Sequence, residues 1–462
     1  MAIAAMLGGA AMAQPSGLTR LHGDAVVEQT GTRTVITTTN GAGTNHSAFD
    51  WLAFSVPAGT TTHFLQPRAD STSINRVTGG NPSEIFGTLS SNGRLVLVNP
   101  AGIAVGDQGL VDTAGFTAST LGMTRDDAIA GRLRFGGTGA LQDFGTDKSD
   151  RIRVQGQVLA KNGDVVLIGP DLEIDGGAIV EANAGDVVLA AGRTVELTGR
   201  GIEGIRMELR APDDRAINLG TLTGDSVAIF AGQLRHRGLI QARTATVSGG
   251  RVVLEAVTDA EIDGPIAAAT GMQGGSVRIA ALRLVLKAAA FIDVSHPNGG
   301  GEIRLVGSER LDGDAGAVLK ADTTLSGPAG IVTLDGASVD FRGTIITAGA
   351  GTGGSGTGDS SGSSSDSAGN TGGDSGTGTG TASSGGGAPN PGSVEGSGSA
   401  PTASTPRAPD ETQPRRVQVA LRQTENDTDS YLRGTPAQPA SAVEDRYRRK
   451  VVVDAVSCSV TR

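Results

Sequence analysis

Cysteine is almost absent from this 462-residue chain: Cys458 stands alone, so no intrachain disulfide can form. An unpaired cysteine in an exported chain is a free thiol or an intermolecular partner. Aromatic residues make up only 3% of the sequence, which excludes a core built on large rings over most of its length. No stretch reaches the roughly 20 apolar residues that a membrane-spanning helix requires. Basic residues are outnumbered, 38 Lys and Arg against 48 Asp and Glu, for a formal charge of −10. That balance lacks the basic face of a nucleic-acid binder, so no nucleic-acid partner is expected. The five histidines, His22, His46, His63, His236 and His296, do not fall at metal-ligand spacings. They are expected at surfaces or turns, and no metal or other cofactor is expected. There is no GxxxxGK[ST] loop. Gly373-Asp374-Ser375-Gly376 copies the tetrapeptide around a serine-protease nucleophile, but it sits in low-complexity sequence with no framework for a His and an Asp.

Glycine is what the chain has in excess, 72 residues without a Gly-X-Y period, which points to tight turns and to low complexity. The two uses separate along the chain. Residues 1–13 are small and apolar and end in Ala11-Met12-Ala13, the small-x-small pattern of a signal-peptidase site, and read as the remnant of a signal peptide. Residues 14–148 hold the single Trp51 and seven of the ten phenylalanines, and can fill an irregular cap. Residues 149–348 carry repeats. Residues 349–413 are Gly/Ser/Thr/Pro-rich, have little to bury, and are expected to be a disordered linker. Residues 414–462 form a basic tail with short apolar alternation at Val417, Val419 and Leu421 and a VVVDAV run at 451–456, which either pair as strands or stay disordered.

The repeats decide the fold class. GDVVL occurs at 163–167 and again at 185–189, and looser Gly-x-Val/Ile-x-Leu/Ile copies begin at Gly250, Gly275, Gly301 and Gly330. The copy at Gly224 has one extra residue, as a β-bulge would. A second Gly-led apolar element accompanies most copies, such as GQVLA at 156–160 and GTIITA at 343–348. In a strand alternate residues face one side, so Val165 and Leu167 point inward while Asp164 and Val166 point outward. No unit can bury its own apolar face, and stacking the units does so. The expectation is an all-β parallel β-helix, with a β-sandwich as the competing architecture. Residues 124–135, capped by Thr124, are the best helix candidate. The Gly-Asp pairs at 163–164, 185–186 and 224–225 lack the GGxGxD spacing of calcium repeats and read as turn residues.

Three stretches also resemble a known family: FLQPRADSTSINRVTGGNPSEIFGTLSSNGRLVLVNPAGIAVGDQGLVDTAGFTASTL (64–121), DDAIAGRLRFGG (126–137) and GQVLAKNGDVVLIGPDLEIDGGAIVEANAGDVVLAAGRTVELT (156–198). In order and spacing they are similar to the N-terminal domain of filamentous-haemagglutinin-type exoproteins, the passengers of two-partner secretion. The resemblance implies a right-handed β-helix with an N-terminal cap. It implies recognition by an outer-membrane transporter of the TpsB type with POTRA domains, and a secreted or cell-surface location. It further implies an adhesin or a surface-binding, haem-acquisition role, with a host surface, a neighbouring cell or a haem carrier as ligand. The family's Asn-Pro-Asn-Gly-Ile motif falls on Asn99, Pro100, Ala101, Gly102 and Ile103, with Ala101 departing from it. Its Asn-Pro-Asn-Leu signature is not present as such; the region holds Leu65-Gln66-Pro67 and Asn75-Arg76 instead. Asn75, Arg76, Asn99, Pro100, Gly102 and Ile103 are therefore the candidate residues, either for partner recognition or for a turn of the cap. No catalytic residues are expected. The alternative is an extracellular polysaccharide-active β-helix enzyme, for which Arg278, Arg304 and Glu302 on one outer face are the nearest approach to a site.

Overall fold

The computed structural model describes residues 14–349 apart from 147–148, 200, 211–213, 245–248, 269–272 and 324, together with strands at 415–419, 450–454 and 457–459. Residues 1–13, the linker from 350 to 413 with its Gly-Asp-Ser-Gly tetrapeptide, and most of the tail lie outside the described residues. The chain divides into two units, one of residues 1–351 with 414–462 and one of 352–413, and only the first contains described residues.

The described chain is a parallel β-helix. Its strands form a 19-stranded sheet that supplies two faces of the coil and a 13-stranded sheet that supplies the third. Register follows the repeat: Val165 pairs with Val187, then Val227, Val252, Val277, Ile303 and Val332 in successive coils. Two residues on, Leu167, Leu189, Ile229, Leu254, Ile279, Leu305 and Leu334 make a second interior column. These side chains are 0–2% exposed. Each is worth roughly 1.5–3 kcal/mol of burial, so the inward ladders are the main source of stability. The extra residue of the Gly224 copy is taken up before the strand, where the Asp225 N–H donates to the Gly185 carbonyl at 2.8 Å, and the strand keeps its register. The N-terminal end is closed by the antiparallel hairpin Asp24–Thr30 with Arg33–Thr39 and by Thr19–His22 on His46–Trp51. In the tail, Arg415–Val419 pairs antiparallel with Ile331–Gly336, and Lys450–Asp454 with Ile205–Arg210.

The outward positions depart from simple alternation. Val166 and Val188 do leave the interior, yet they are only 6% and 0% exposed. With Val96, Ile168, Ala228 and Phe230 they form a second core outside the coil. The material covering it is α1 (Arg125–Ala130), an antiparallel trio of strands, Leu133–Gly136, Thr194–Leu197 and Ile205–Arg210, and the turn Ile202–Gly204. Phe135, Val195, Ile202 and Met207 supply its apolar underside. The helix expected over 124–135 is therefore shorter. Thr124 caps it as expected, its Oγ accepting the Asp127 N–H at 3.1 Å. Gly131 then ends it in a left-handed conformation, φ 68°, and Leu133–Gly136 becomes an edge of the cover. Asp127 is drawn two ways. Partial burial raises its pKa, but bonds from the Thr124 hydroxyl and Arg132 outweigh this and hold it below the usual carboxylate value.

One histidine expected at a surface or turn is interior. His236 is 0% exposed; its Nε2–H donates to the Pro265 carbonyl at 3.3 Å, and Nδ1 accepts from the Asn218 amide at 3.1 Å. Asn218 and His236 stack in successive coils, so a polar rung replaces the apolar one there. Burial lowers the pKa of His236 from 6.5 to about 4, with the Pro265 carbonyl opposing the shift.

Val188→Arg puts an unpaired charge beneath the cover and should cost at least about 3 kcal/mol in denaturant unfolding. Arg304→Val, at the equivalent outward position of an uncovered coil, should change stability by no more than about 0.5 kcal/mol. His236 is neutral in the folded chain while its unfolded counterpart takes up a proton below pH 6.5. Its contribution is thus complete above pH 6.5 and is lost as pH falls towards 4, by about 3 kcal/mol. Urea midpoints of the wild type and His236→Asn, compared at pH 7.5 and 4.5, should show a smaller acid-induced drop in the variant.

Candidate functional site

Of the six candidate residues, Asn75 and Arg76 lie on the strand Thr72–Val77, Asn99, Pro100 and Gly102 in the turn after Arg94–Val98, and Ile103 at the start of the strand that follows. Thr72–Val77 pairs in parallel with Arg94–Val98, setting Asn75 beside Leu97 and Arg76 beside Val98. The chain then turns through Asn99–Gly102 and enters the strand Ile103–Val105.

Asn99 organises the turn. Its Oδ1 accepts the Ala101 N–H at 3.0 Å, and its Nδ2 donates to the Asn81 carbonyl and to Ser83 Oγ, both at 2.9 Å. The Gly102 N–H closes back on the Asn99 carbonyl at 3.0 Å. Gly102 has φ 121°, which favours glycine, although a Cβ would meet nothing closer than 3.6 Å. The requirement there is conformational rather than spatial. The Pro100 carbonyl accepts the Asp150 N–H at 2.8 Å, and Ile103 inserts into the inner core.

Asn75 and Arg76 point to opposite sides of their strand. Asn75 faces inward, where its Oδ1 accepts Trp51 Nε1–H at 2.9 Å and its Nδ2 donates to Ser73. Arg76 faces the cover. It is 0% exposed, bonds Asp143 at 2.6 Å, approaches Asp50 at 3.3 Å without hydrogen-bond geometry, and lies 5.0 Å from the Phe144 ring centre. Burial raises the pKa of Asp50, against the pull of Arg76 and Arg125. Arg76 therefore straps the segment around Asp143 and Phe144 onto the cap. Asn75, Arg76 and Asn99 are all buried; at this corner the surface is made by Asn81, Pro82 and the half-exposed Ala101.

A second polar cluster fastens the cover to the coils. Asp164 accepts the Asp186 N–H at 3.0 Å and the Gly201 N–H at 2.9 Å. Asp186 in turn accepts the N–H groups of Ser226 at 3.0 Å and Ile202 at 2.9 Å. Burial raises the pKa of Asp186, and neighbouring Asp164 adds to it, while the Ile202 and Ser226 donors oppose it. These aspartates are turn residues, as the sequence suggested, but they also reach the cover loop, Asp164 over 37 residues and Asp186 over 16. A cavity of about 100 Å³ lies beside them, bounded by Arg94, Asp164, Val166 and Gly201.

Sequence reasoning missed Asp50, Asp143, Phe144 and the Asp164–Asp186 clasp. Each partnership joins residues 16 to 68 positions apart, and no periodicity reports it. The one available signal was the VVLI and VVLA runs at 165–168 and 187–190, where an apolar residue occupies an outward position.

On the uncovered face of the larger sheet, several acidic and basic side chains pair between coils. Arg215 pairs with Asp171 at 2.7 Å, Arg153 with Asp175 at 2.8 Å and Arg283 with Asp259 at 2.7 Å. Arg278 and Arg304 are indeed stacked neighbours, and Arg278 lies 3.3 Å from Glu255. A shallow groove of about 300 Å³ crosses this face between Arg215, Glu261 and Arg283. Among the described residues no group of three or more His, Cys, Asp or Glu is placed to hold a metal ion.

Comparison with known proteins adds family information to this geometry. A family model described as the TPS secretion domain matches residues 11–293. The chain is 31% identical over 186 residues to a heme/hemopexin-binding protein of Haemophilus influenzae, a match covering 40% of this chain and 20% of that protein. A second heme/hemopexin-binding protein from the same species is 34% identical over 83 residues, 18% of this chain and 9% of that one. The match thus spans about a fifth or less of the length of these relatives. The crystal structure of the HMW1 secretion domain from Haemophilus influenzae superposes with a TM-score of 0.61 at 25% identity, covering 72% of this chain and 90% of that one.

The strap is testable directly. Arg76→Met leaves the partly buried Asp50 with only the weaker pull of Arg125 and releases Asp143, which should destabilise the cap by about 3 kcal/mol. Limited proteolysis should then cut between residues 137 and 150 faster than in the wild type; equal rates would show that Arg76 does not hold this segment.

Proposed function

The chain belongs to the TPS secretion domain family, and from that premise we propose that its capped N-terminal part, residues 14 to about 200, is read by the POTRA domains of an outer-membrane TpsB-type transporter. It is an exported, TpsA-like exoprotein, secreted or carried at the cell surface. The observation that carries the proposal is the reach of the family match, which takes in the cap, the Asn99 turn, the cover and the first coils. Those parts interlock through Arg76 and through Asp164 and Asp186. In this reading the sequence boundaries mark roles: 14–148 for the cap and first coils, 149–348 for the displayed rod, 349–413 for a linker and 414–462 for a tail.

Asn99, Pro100 and Gly102 set the shape of the corner, and a partner meets that shape through Asn81, Pro82, Ala101 and exposed main chain. Beyond export, the chain acts by binding, as an adhesin or in haem acquisition, with haem or a haem-carrying protein as the ligand class. The similarity to heme/hemopexin-binding proteins supports this. The pairing of acids with arginines on the uncovered face supports binding over polysaccharide cleavage, which needs free carboxylates.

Coexpression of the full chain with its transporter tests the route. The protein should appear in the medium or at the cell surface with the transporter and stay in the cells without it. Asn99→Asp removes both amide donors of the turn and Gly102→Val opposes its φ. Both should lower export about tenfold, given a local cost of about 1–3 kcal/mol. Ala101→Asn should export normally. Equal export with and without the transporter overturns the proposed route, and normal export of both turn variants removes the turn from recognition.

A further inference from the structure

The third face of the β-helix, the outer side of the 13-stranded sheet, differs in composition from the other two. It has neither the cover of the first nor the ion-pair ladder of the second. Parallel in-register pairing sorts its outward side chains into columns that run along the rod. One column, running from Thr61 to Thr344, contains no charged residue. In it Ile179 and Phe291 are 36% and 40% exposed. The adjacent column carries a few charges, among them Glu181 and Lys320. The column is uncharged and partly apolar, with Leu110, Ile179, Leu239, Pro265, Phe291 and Val318 among Thr and Gln, and an exposed stripe of this kind is a candidate interaction surface.

We propose that this face pairs with the same face of a second copy, the two rods antiparallel. The argument is charge and size complementarity under a twofold axis. When the axis crosses the face between the coils of Leu239 and Pro265, each column meets its own reverse. Glu181 then lies opposite Lys320 of the other copy, and the symmetry repeats that ion pair. Along the uncharged column Ile179 meets Val318, Thr221 meets Phe291 and Leu239 meets Pro265. At the edge of the contact Leu159 meets Ile346.

The register is specific. Sliding one coil in one direction sets Glu181 against Asp293, a like-charge contact, and Lys320 against Leu159. Sliding the other way sets Glu181 against Ile346. A parallel arrangement would face each charge with its own copy. Lys320 is already near Asp293 and Asp322, at 3.7 and 3.4 Å, and remains partly exposed, so it can reach across without giving up its own neighbours. The contact spans eight coils, roughly 34 Å at about 4.8 Å per coil. That is a small interface, so the dimer should be weak and dependent on concentration.

Sedimentation equilibrium of the full chain, from roughly 1 μM to 1 mM, tests this, since small interfaces are populated in that range. The wild type should move from monomer to dimer. Glu181→Lys and Lys320→Glu should each weaken association at least about tenfold, because both ion pairs become like-charge contacts. An equimolar mixture of the two single variants restores both opposite-charge pairs and should associate about as well as the wild type. Both substitutions are at the surface, and matching circular dichroism and melting temperatures would show that each variant is folded. A wild type that stays monomeric throughout, a dimer indifferent to the swaps, or a mixture that fails to associate would overturn the proposal.

Discussion

In-register parallel stacking is the constraint on which the rest of the structure depends. Once Val165 sits on Val187 and Leu167 on Leu189, about 4.8 Å apart, the other strand residues of the coil are stacked on their equivalents as well. An apolar residue then becomes part of a column, and a one-residue slip would turn the whole interior outward. Charges are subject to the same rule. Opposite charges attract at this spacing, as in Asp171 with Arg215 and Asp259 with Arg283. Each exposed pair adds little stability.

Stacking also explains why the cap region needs more than a coil. The outward columns of the first face are apolar in the N-terminal half, through Val96, Val166, Val188 and Phe230, and become Arg278, Arg304 and Thr333 further on. The switch coincides with the end of the cover. A bare coil suffices where the outward residues are polar, and a covering layer is required where they are not. The cover is held by a few specific attachments, Arg76 on Asp143 and the Asp164 and Asp186 carboxylates on the N–H groups of Gly201 and Ile202. Because the family match includes both layers, the secretion domain is best understood as this two-core unit rather than as the turn alone.

Much of the fold was legible in the sequence because it is periodic. GDVVL at a 22-residue interval gave the strand, the inward residues and the stacking. Thr124 gave the start of the helix. What was not legible came from contacts without a period. The helix stops at Gly131 because Phe135 is needed in a strand beside Val195, a tertiary demand that overrides local preference. His236 is buried because Asn218 stacks beneath it, and nothing in its neighbours along the chain signals this. At the candidate site, the residue types of Asn99 and Gly102 indicated a turn, but only the structure placed Asn99 against Asn81 and Ser83. Arg76 gave no sign of its burial, since both of its acidic partners are distant in sequence.

Native-state hydrogen exchange on the full chain tests the two-core account most directly. The strands Leu133–Gly136, Thr194–Leu197 and Ile205–Arg210 should exchange together with the coils beneath them, Arg94–Val98, Val165–Gly169 and Val187–Ala191, as one cooperative unit. If the cover instead exchanges rapidly and independently while those coils remain protected, it is an attachment rather than part of the core, and the account fails.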